Sequence, residues 1–229
     1  MKEEIMDDFL LQGPVLEDTL DKLAGINKWL GGNKITLTGI KKLLEKQNHD
    51  KVFRIVDLGC GGGDMLRLIA DYGRKNGYNL QLVGVDANEN TLDYARERSM
   101  DFPEISYRSC SVFSNEFKQL EYDIALATLF LHHFEEDQIL ELLNTLQKKA
   151  TLGVIINDLH RHPMAYYLFQ LLCLVIPNDM VRDDGLASIL KGFRLNELEE
   201  FSKQIGAQAM IRWKWAFRYQ WIIDNKAWA

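Results

Sequence analysis

The chain has 229 residues, 47% of them hydrophobic and 26% charged, with a formal net charge of −6. That length suits one α/β domain, 1–229, whose core needs neither disulfides nor a structural metal. The acidic balance argues against nucleic acid as a partner, because phosphate backbones are bound by a basic face. A local basic patch, Arg212, Lys214 and Arg218, is the exception. Cys60, Cys110 and Cys173 are scattered and form no Cys-x-x-Cys pair, which reads as reduced thiols and an expected cytoplasmic location. The acidic N-terminus, broken at Gly13-Pro14, lacks the basic start and apolar run of a signal peptide. The most apolar stretch, 164–176, is too short to span a bilayer, so no transmembrane segment is expected.

In chain order, Leu16, Leu20, Leu23, Ile26 and Leu30 recur at helical spacing until Gly31-Gly32 stops them. A second helix is predicted after Thr38, which makes 1–50 a helical N-terminal segment. Short apolar runs then alternate with amphipathic helices. The predicted strands are 52–58, 80–86, 105–109, 122–128 and 152–157, and the predicted helices are 64–75, 90–98 and 135–149. This βαβα order implies a mostly parallel, Rossmann-like sheet with helices on both faces. Residues 159–192 interrupt the alternation with an apolar helix and a polar turn over 177–185, read as an insertion covering the site. Asn196 and Glu199 have the spacing of a capping box for a helix ending at Gly206. The tail 208–223, rich in Trp, Tyr and Ile, suits a final antiparallel hairpin that brings the sheet to seven strands.

The strongest chemical signal is Val56-Asp57-Leu58-Gly59-Cys60-Gly61-Gly62-Gly63-Asp64, placed where a strand ends and a helix begins. Ligands of open α/β sheets bind there. Glycine allows a sharp turn and close approach of a ligand to backbone, and the helix start offers unpaired N–H groups. A dinucleotide fingerprint wants glycines at the first, third and sixth positions. Counted from Gly59 the sixth is Asp64, so that fit fails. Asp86 ends the second strand in Val83-Gly84-Val85-Asp86-Ala87, where a carboxylate can hold two adjacent ribose hydroxyls. Its structural alternative is a role at the start of the next helix, beside Asn88 and Asn90. The third signal is the run from Tyr122-Asp123 to Leu131-His132-His133-Phe134.

Taken in order from 54 to 158, these motifs resemble the class I SAM-dependent methyltransferases, SAM being S-adenosylmethionine. Within that family the chain is similar to the small-molecule branch typified by ubiquinone and menaquinone C-methyltransferases. Leu30-Gly31-Gly32-Asn33 and Asp158-Leu159-His160-Arg161 also resemble methyltransferases of polyketide-type clusters. The resemblance implies that SAM is the cofactor and S-adenosylhomocysteine (SAH) the product. It implies that Asp57 approaches the methionine amino group, helped by the Gly59-Cys60-Gly61 backbone and Gly63. Asp86 would take the ribose and Ala87 the adenine, with Thr128 and Leu129 beside the methionine portion. The family usually presents an Asp to the adenine amino group after the third strand. This sequence has Ser111 there, so the backbone of Val112 is expected to share that task.

The acceptor is expected to be a small aromatic or apolar molecule, methylated on oxygen or carbon. A base is needed only where the acceptor must lose a proton. The candidates are His132, His133 and His160, with Asp158 nearby, and one of the two adjacent histidines is expected to face the pocket. Arg161 could clamp an acceptor carboxylate or form a surface ion pair. Tyr166, Tyr167, Phe169 and Leu172 could line the acceptor pocket or simply pack, and Trp29 could close it. No cluster has metal-ligand spacing, and no metal is expected. Two other classes stay open at this point: an NAD(P)-dependent oxidoreductase on a similar sheet, and a SAM-binding regulator without turnover.

Overall fold

The structure, a computed structural model, describes residues 12–174 and 178–225. Helix α1 (Pro14–Trp29) starts with Pro in its first turn, and α2 (Gly32–Leu44) follows at once. The second helix therefore begins well before Thr38. Gly31, at φ 78°, adopts the left-handed conformation that ends one helix and starts the next within one turn.

The alternating part runs β1 (Val52–Leu58), α3 (Asp64–Asn76), β2 (Asn79–Asp86), α4 (Glu89–Arg98), β3 (Ile105–Ser109), α5 (Asn115–Gln119) and β4 (Ile124–Thr128). A 3-10 turn (Leu131–His133), α6 (Glu136–Lys149) and β5 (Gly153–Leu159) come next. Then follow α7 (Pro163–Leu172), α8 (Asp179–Lys191), α9 (Leu195–Gln204), β6 (Ala209–Lys214) and β7 (Arg218–Asp224). One sheet joins all seven strands in the order β3-β2-β1-β4-β5-β7-β6. The first five are parallel, and β7 runs antiparallel to both β5 and β6. This is the Rossmann-like architecture with its C-terminal hairpin.

Alternation along each strand builds two cores. Val56, Leu58, Ala125, Val154 and Trp221 face α6 and α9. Phe53, Ile55, Leu82, Ile124 and Ile155 face α2 and α3 on the other side. Trp221 and Phe53 are fully buried, worth roughly 1.5–3 kcal/mol each in removed apolar surface. Gly153 marks the tightest backbone approach in the sheet: a Cβ there would lie 2.2 Å from the carbonyl oxygen of Ile223. Gly153→Ala should therefore cost about 1–3 kcal/mol, read as a lower Tm in calorimetry. An unchanged Tm would mean that β5 and β7 separate without cost.

Three local expectations are corrected. Strand β4 starts at Ile124 rather than at 122, because the Asp123 carboxylate turns outward to accept the Arg54 N–H at 3.0 Å and bind Lys51 at 3.1 Å. Most of 177–185 is helix, not a polar turn: the Asn178 side chain accepts the Val181 N–H at 2.9 Å and starts α8. Residues 175–177 lie outside the described residues. The box at the start of α9 is formed two residues early, where the Glu197 carboxylate accepts the Arg194 N–H at 2.8 Å. Among the described residues, no helix is long and apolar enough to cross a membrane.

Candidate active site

A cavity of about 900 Å³ opens beyond the carboxyl ends of β1, β2, β4 and β5, roofed by α1, α7, α8 and the β6–β7 turn. Helix α2 is fastened to its floor. The Asn157 amide donates to the Gly32 carbonyl and to Thr36 Oγ1, both at 3.0 Å, and Thr36 Oγ1 lies 3.0 Å from Thr128 Oγ1. Helix α1 is held over α4 by Asp21, whose carboxylate accepts the Tyr94 hydroxyl at 2.6 Å.

The glycine-rich loop lines one end. Gly59 and Gly61 have φ of 61° and 50°, and a Cβ on Gly59 would strike the Phe130 ring at 2.2 Å. Gly61 is open toward the cavity, while its N–H donates to Asp86 Oδ2 at 3.2 Å. Cys60 also lines the cavity, its N–H bonded to the Val85 carbonyl. Gly63 does not line it. That glycine caps α3, with the Tyr107 hydroxyl where its Cβ would be, so its role is the turn and not ligand contact.

Three carboxylates, Asp57, Asp64 and Asp86, line the same end. Burial pushes the Asp57 carboxyl well above the usual range, and the charges of Asp64 and Asp86 push it further. Burial also raises Asp86, offset in part by N–H groups of Asn88, Gly61 and Ala87. Asn88, not Asp86, is the N-cap of α4. Among the described residues, no Lys or Arg side chain pairs with any of the three. Such a site attracts a ligand with positive charge and repels a pyrophosphate. Ala87, Ser111, Val112, Thr128 and Leu129 continue the wall. The Ser111 hydroxyl accepts the Phe113 N–H at 3.3 Å. Leu129 holds a left-handed φ of 53°, costly for a side chain of its size, and its N–H donates to the Asn157 carbonyl at 2.8 Å.

Farther along the cavity, between this acidic end and β7, lies a buried dyad. His132 Nδ1 lies 2.6 Å from Asp158 Oδ1. Asp158 also accepts the N–H groups of Leu159, Leu131 and Phe130 at 2.8, 3.0 and 3.3 Å. Burial works to raise its pKa, but His132 and these donors hold the carboxyl below the usual range. His132 Nε2 is enclosed and has no hydrogen-bond partner among the described residues. His133 packs 4.3 Å from His132, ring to ring, and both line the cavity, so the expectation that only one faces it is corrected. His160 lines it too, but its Nδ1 accepts the Trp213 indole N–H at 3.2 Å. The ring proton then sits on Nε2. Burial, with His162 beside it, lowers the His160 pKa, so this ring is a neutral donor rather than a base.

Of the acceptor-side expectations, Trp29 lies at the rim, 75% exposed, and Phe169 and Leu172 line the cavity. Arg161 and Tyr166 do not. The Arg161 guanidinium is drawn to Glu197 on α9. On α7 the residues lining the cavity are 165, 168, 169, 171 and 172, while Tyr166 turns aside to stack edge-on with Tyr167. Sequence reasoning placed Arg218 in a surface patch, but it is 3% exposed and lines the cavity. Asn27, also in the wall, had no local signal at all. No group of three His, Cys, Asp or Glu among the described residues is placed to hold a metal ion.

Residues 55–150 match a family model described as a methyltransferase domain. No curated protein sequence matches the chain significantly. Among solved structures, an O-methyltransferase family protein from Burkholderia thailandensis superposes with a TM-score of 0.64 at 15% identity. That alignment covers 90% of this chain and 59% of the other, so the present chain spans little more than half of that protein. The plantazolicin methyltransferase BamL, solved with a triazolic desmethylPZN analog and SAH, gives 0.68 at 13% identity, covering 91% of each chain. Magnesium protoporphyrin IX methyltransferase from Synechocystis, solved with SAH, gives 0.56 at 13% identity over 84% of this chain and 81% of that one. At these identities the likeness is one of fold. The family match lies on the glycine loop, Asp86 and the His132 turn, so residues 55–150 resemble a methyltransferase domain on a sheet of the same fold as these neighbours.

Proposed function

We propose that this protein methylates a small aromatic or apolar acceptor, on oxygen or on an acidic carbon, with SAM as the methyl donor. The observation that carries this reading is the polarity of one cavity: carboxylates without a Lys or Arg partner at one end, and a buried His–Asp dyad farther along it. Bound SAM supplies a methyl group already activated on a cationic sulfur. Asp57 would hold the ammonium group of the methionine portion, with the Gly59 and Gly61 backbone alongside. Asp86 would accept from the ribose hydroxyls with the carboxylate lone pairs that its two backbone bonds leave free. Ala87, Ser111 and Val112 would flank the adenine, and Thr128 and Leu129 the methionine chain. Leu20 and the rest of α1 would exclude water above the loop, while Trp29, Phe169 and Leu172 would form the apolar acceptor wall. His132, oriented by Asp158, would take the acceptor proton on Nε2.

In this reading 1–229 is one domain, with α1, α7 and α8 as the roof of its site. A concave cavity and the net charge of −6 favour a small molecule over nucleic acid. The free thiols Cys60, Cys110 and Cys173 fit a reducing compartment such as the cytoplasm. BamL and the protoporphyrin enzyme, both named for small-molecule methylation, support the acceptor class.

The test is a calorimetric titration with SAH, with NAD run alongside. SAH should bind and NAD should not, since its pyrophosphate would meet three carboxylates. Asp86→Ala should lose roughly tenfold to a hundredfold in SAH affinity, as expected for one or two charge-assisted hydrogen bonds. Its Tm should stay within a few degrees of the parent. Unchanged SAH affinity would remove the ribose assignment.

A further inference from the structure

Arg218 opens β7, opposite Leu159 of β5, and its side chain is 3% exposed. Its Nε and Nη1 are fully enclosed and bond to no partner, and no side-chain hydrogen bond to Arg218 occurs among the described residues. The nearest anion, Asp158, spends its oxygens on His132 and three backbone N–H groups. Burial lowers the Arg218 pKa to about 10, with Asp158 opposing the fall, so the group still carries its charge at neutral pH. A buried guanidinium without a counter-ion costs several kcal/mol, roughly, and folds seldom keep one without a use.

Two neighbours sharpen the reading. A Cβ built on Gly32 would meet Arg218 Nη1 at 2.8 Å and Cζ at 2.9 Å, so the guanidinium packs on the first residue of α2. Only glycine at 32 leaves room there for the guanidinium and for Asn27 Oδ1, which a Cβ would meet at 1.9 Å. Along the sheet, Arg218 sits beyond the dyad, on the far side from Asp57 and Asp86: the order is β2, β1, β4, β5, β7. One cavity thus has an acidic end over β1 and β2, a base at its middle and a cationic end over β5 and β7.

We propose that Arg218 is an anion clamp for the methyl acceptor, so that the acceptor is an aromatic or apolar molecule bearing a carboxylate. This rests on the methyltransferase reading given above and deepens it. The clamp would fix one end of the acceptor while the group to be methylated faces His132. It takes the role that spacing alone had given to Arg161, whose guanidinium is occupied by Glu197.

The test uses salicylate and salicylamide, which differ in the charge of one group. Each is titrated into SAH-loaded protein by calorimetry. Salicylate should bind roughly tenfold tighter than salicylamide, the scale of one charge-assisted pair. Arg218→Gln should erase that preference and leave SAH affinity within about threefold. Arg218→Lys should keep part of it, and it carries the test if the Gln variant does not fold. A preference that survives in Arg218→Gln overturns the proposal, as does equal binding of the two probes or no binding of either at about 10 mM. Loss of SAH affinity in Arg218→Gln with unchanged salicylate binding also overturns it, by assigning the clamp to the cofactor's own carboxylate. Failure of the wild type to bind SAH is a separate result. It would count against the methyltransferase reading, while the salicylate preference, measured without SAH, would still report on Arg218.

Discussion

Asp57→Asn should make the protein more stable in the absence of ligand and a much poorer binder of SAH. Asp57 is 2% exposed, and both its burial and its acidic neighbours disfavour the charged form. Its folded pKa is thus raised above the unfolded value. An acid shifted that way contributes stability that is fully present below the ordinary Asp range, about 4, and lost as pH rises through the folded pKa. At neutral pH the wild type therefore carries a cost that Asn, nearly the same shape, removes. The expected gain is about 1 kcal/mol, or roughly 2–4 °C in Tm for a chain of this size. The gain should fade as pH falls toward 4, where wild type and variant converge. SAH affinity should drop by roughly tenfold or more, because the ammonium group loses its charged partner. Saturating SAH then inverts the order: at about 100 times its Kd a ligand adds roughly 2.7 kcal/mol to the wild type and far less to the variant. Scanning calorimetry with and without SAH at two pH values reads all of this. A variant less stable than wild type at pH 7.5 would show that Asp57 is held by a structural partner and not by its ligand.

That trade-off explains why the cofactor end was legible in the sequence and the acceptor end was not. Acidic and glycine positions on β1 and β2 are set by local spacing, since strand, turn and helix follow one another within about ten residues. Strands β1 and β3 and the hairpin fall where alternation and composition place them. The acceptor end is assembled from α1, α2, α7, α8 and β7, far apart in sequence, and its chemistry depends on which partners meet. Arg161 has a plausible position but finds Glu197. Arg218 looks like a surface residue of an edge hairpin, yet β7 lies between β5 and β6 and is buried along most of its length. Helix α8 was invisible for a related reason. Its buried residues include Asp184, and Gly185 is needed because a Cβ there would strike the Phe169 ring at 2.4 Å. Such a helix shows little apolar periodicity, so spacing reads it as a turn.

His132→Gln should lower kcat by about 10²–10⁴ on an acceptor that must lose a proton, and leave SAH affinity unchanged. The ring is positioned as a base should be. Asp158, held ionised by His132 and three backbone donors, fixes Nδ1 as the protonated nitrogen and leaves the Nε2 lone pair to the acceptor. Nε2 is enclosed by the cavity wall, so its contact with the acceptor forms only as the wall yields, and catalytic hydrogen bonds commonly tighten in the complex. Asp158→Asn should lose a similar factor and some stability besides. An amide nitrogen would then face N–H groups that a carboxylate now accepts, a cost of about 1–3 kcal/mol. His133→Gln should lose much less, because it is the His132 ring whose Nδ1 lies 2.6 Å from Asp158. The decisive comparison is between a phenol and a thiol of similar shape. A thiol, already partly ionised near neutral pH, needs little help, so its rate should depend weakly on His132, whereas the phenol's should depend strongly. With the base removed, the His132→Gln rate on the phenol should follow phenolate concentration and climb with pH toward the phenol's own pKa, about 10. If His132→Gln and Asp158→Asn both methylate the phenol at near-native rates, the dyad is a structural pin for the 3-10 turn. The acceptor would then have to arrive already deprotonated.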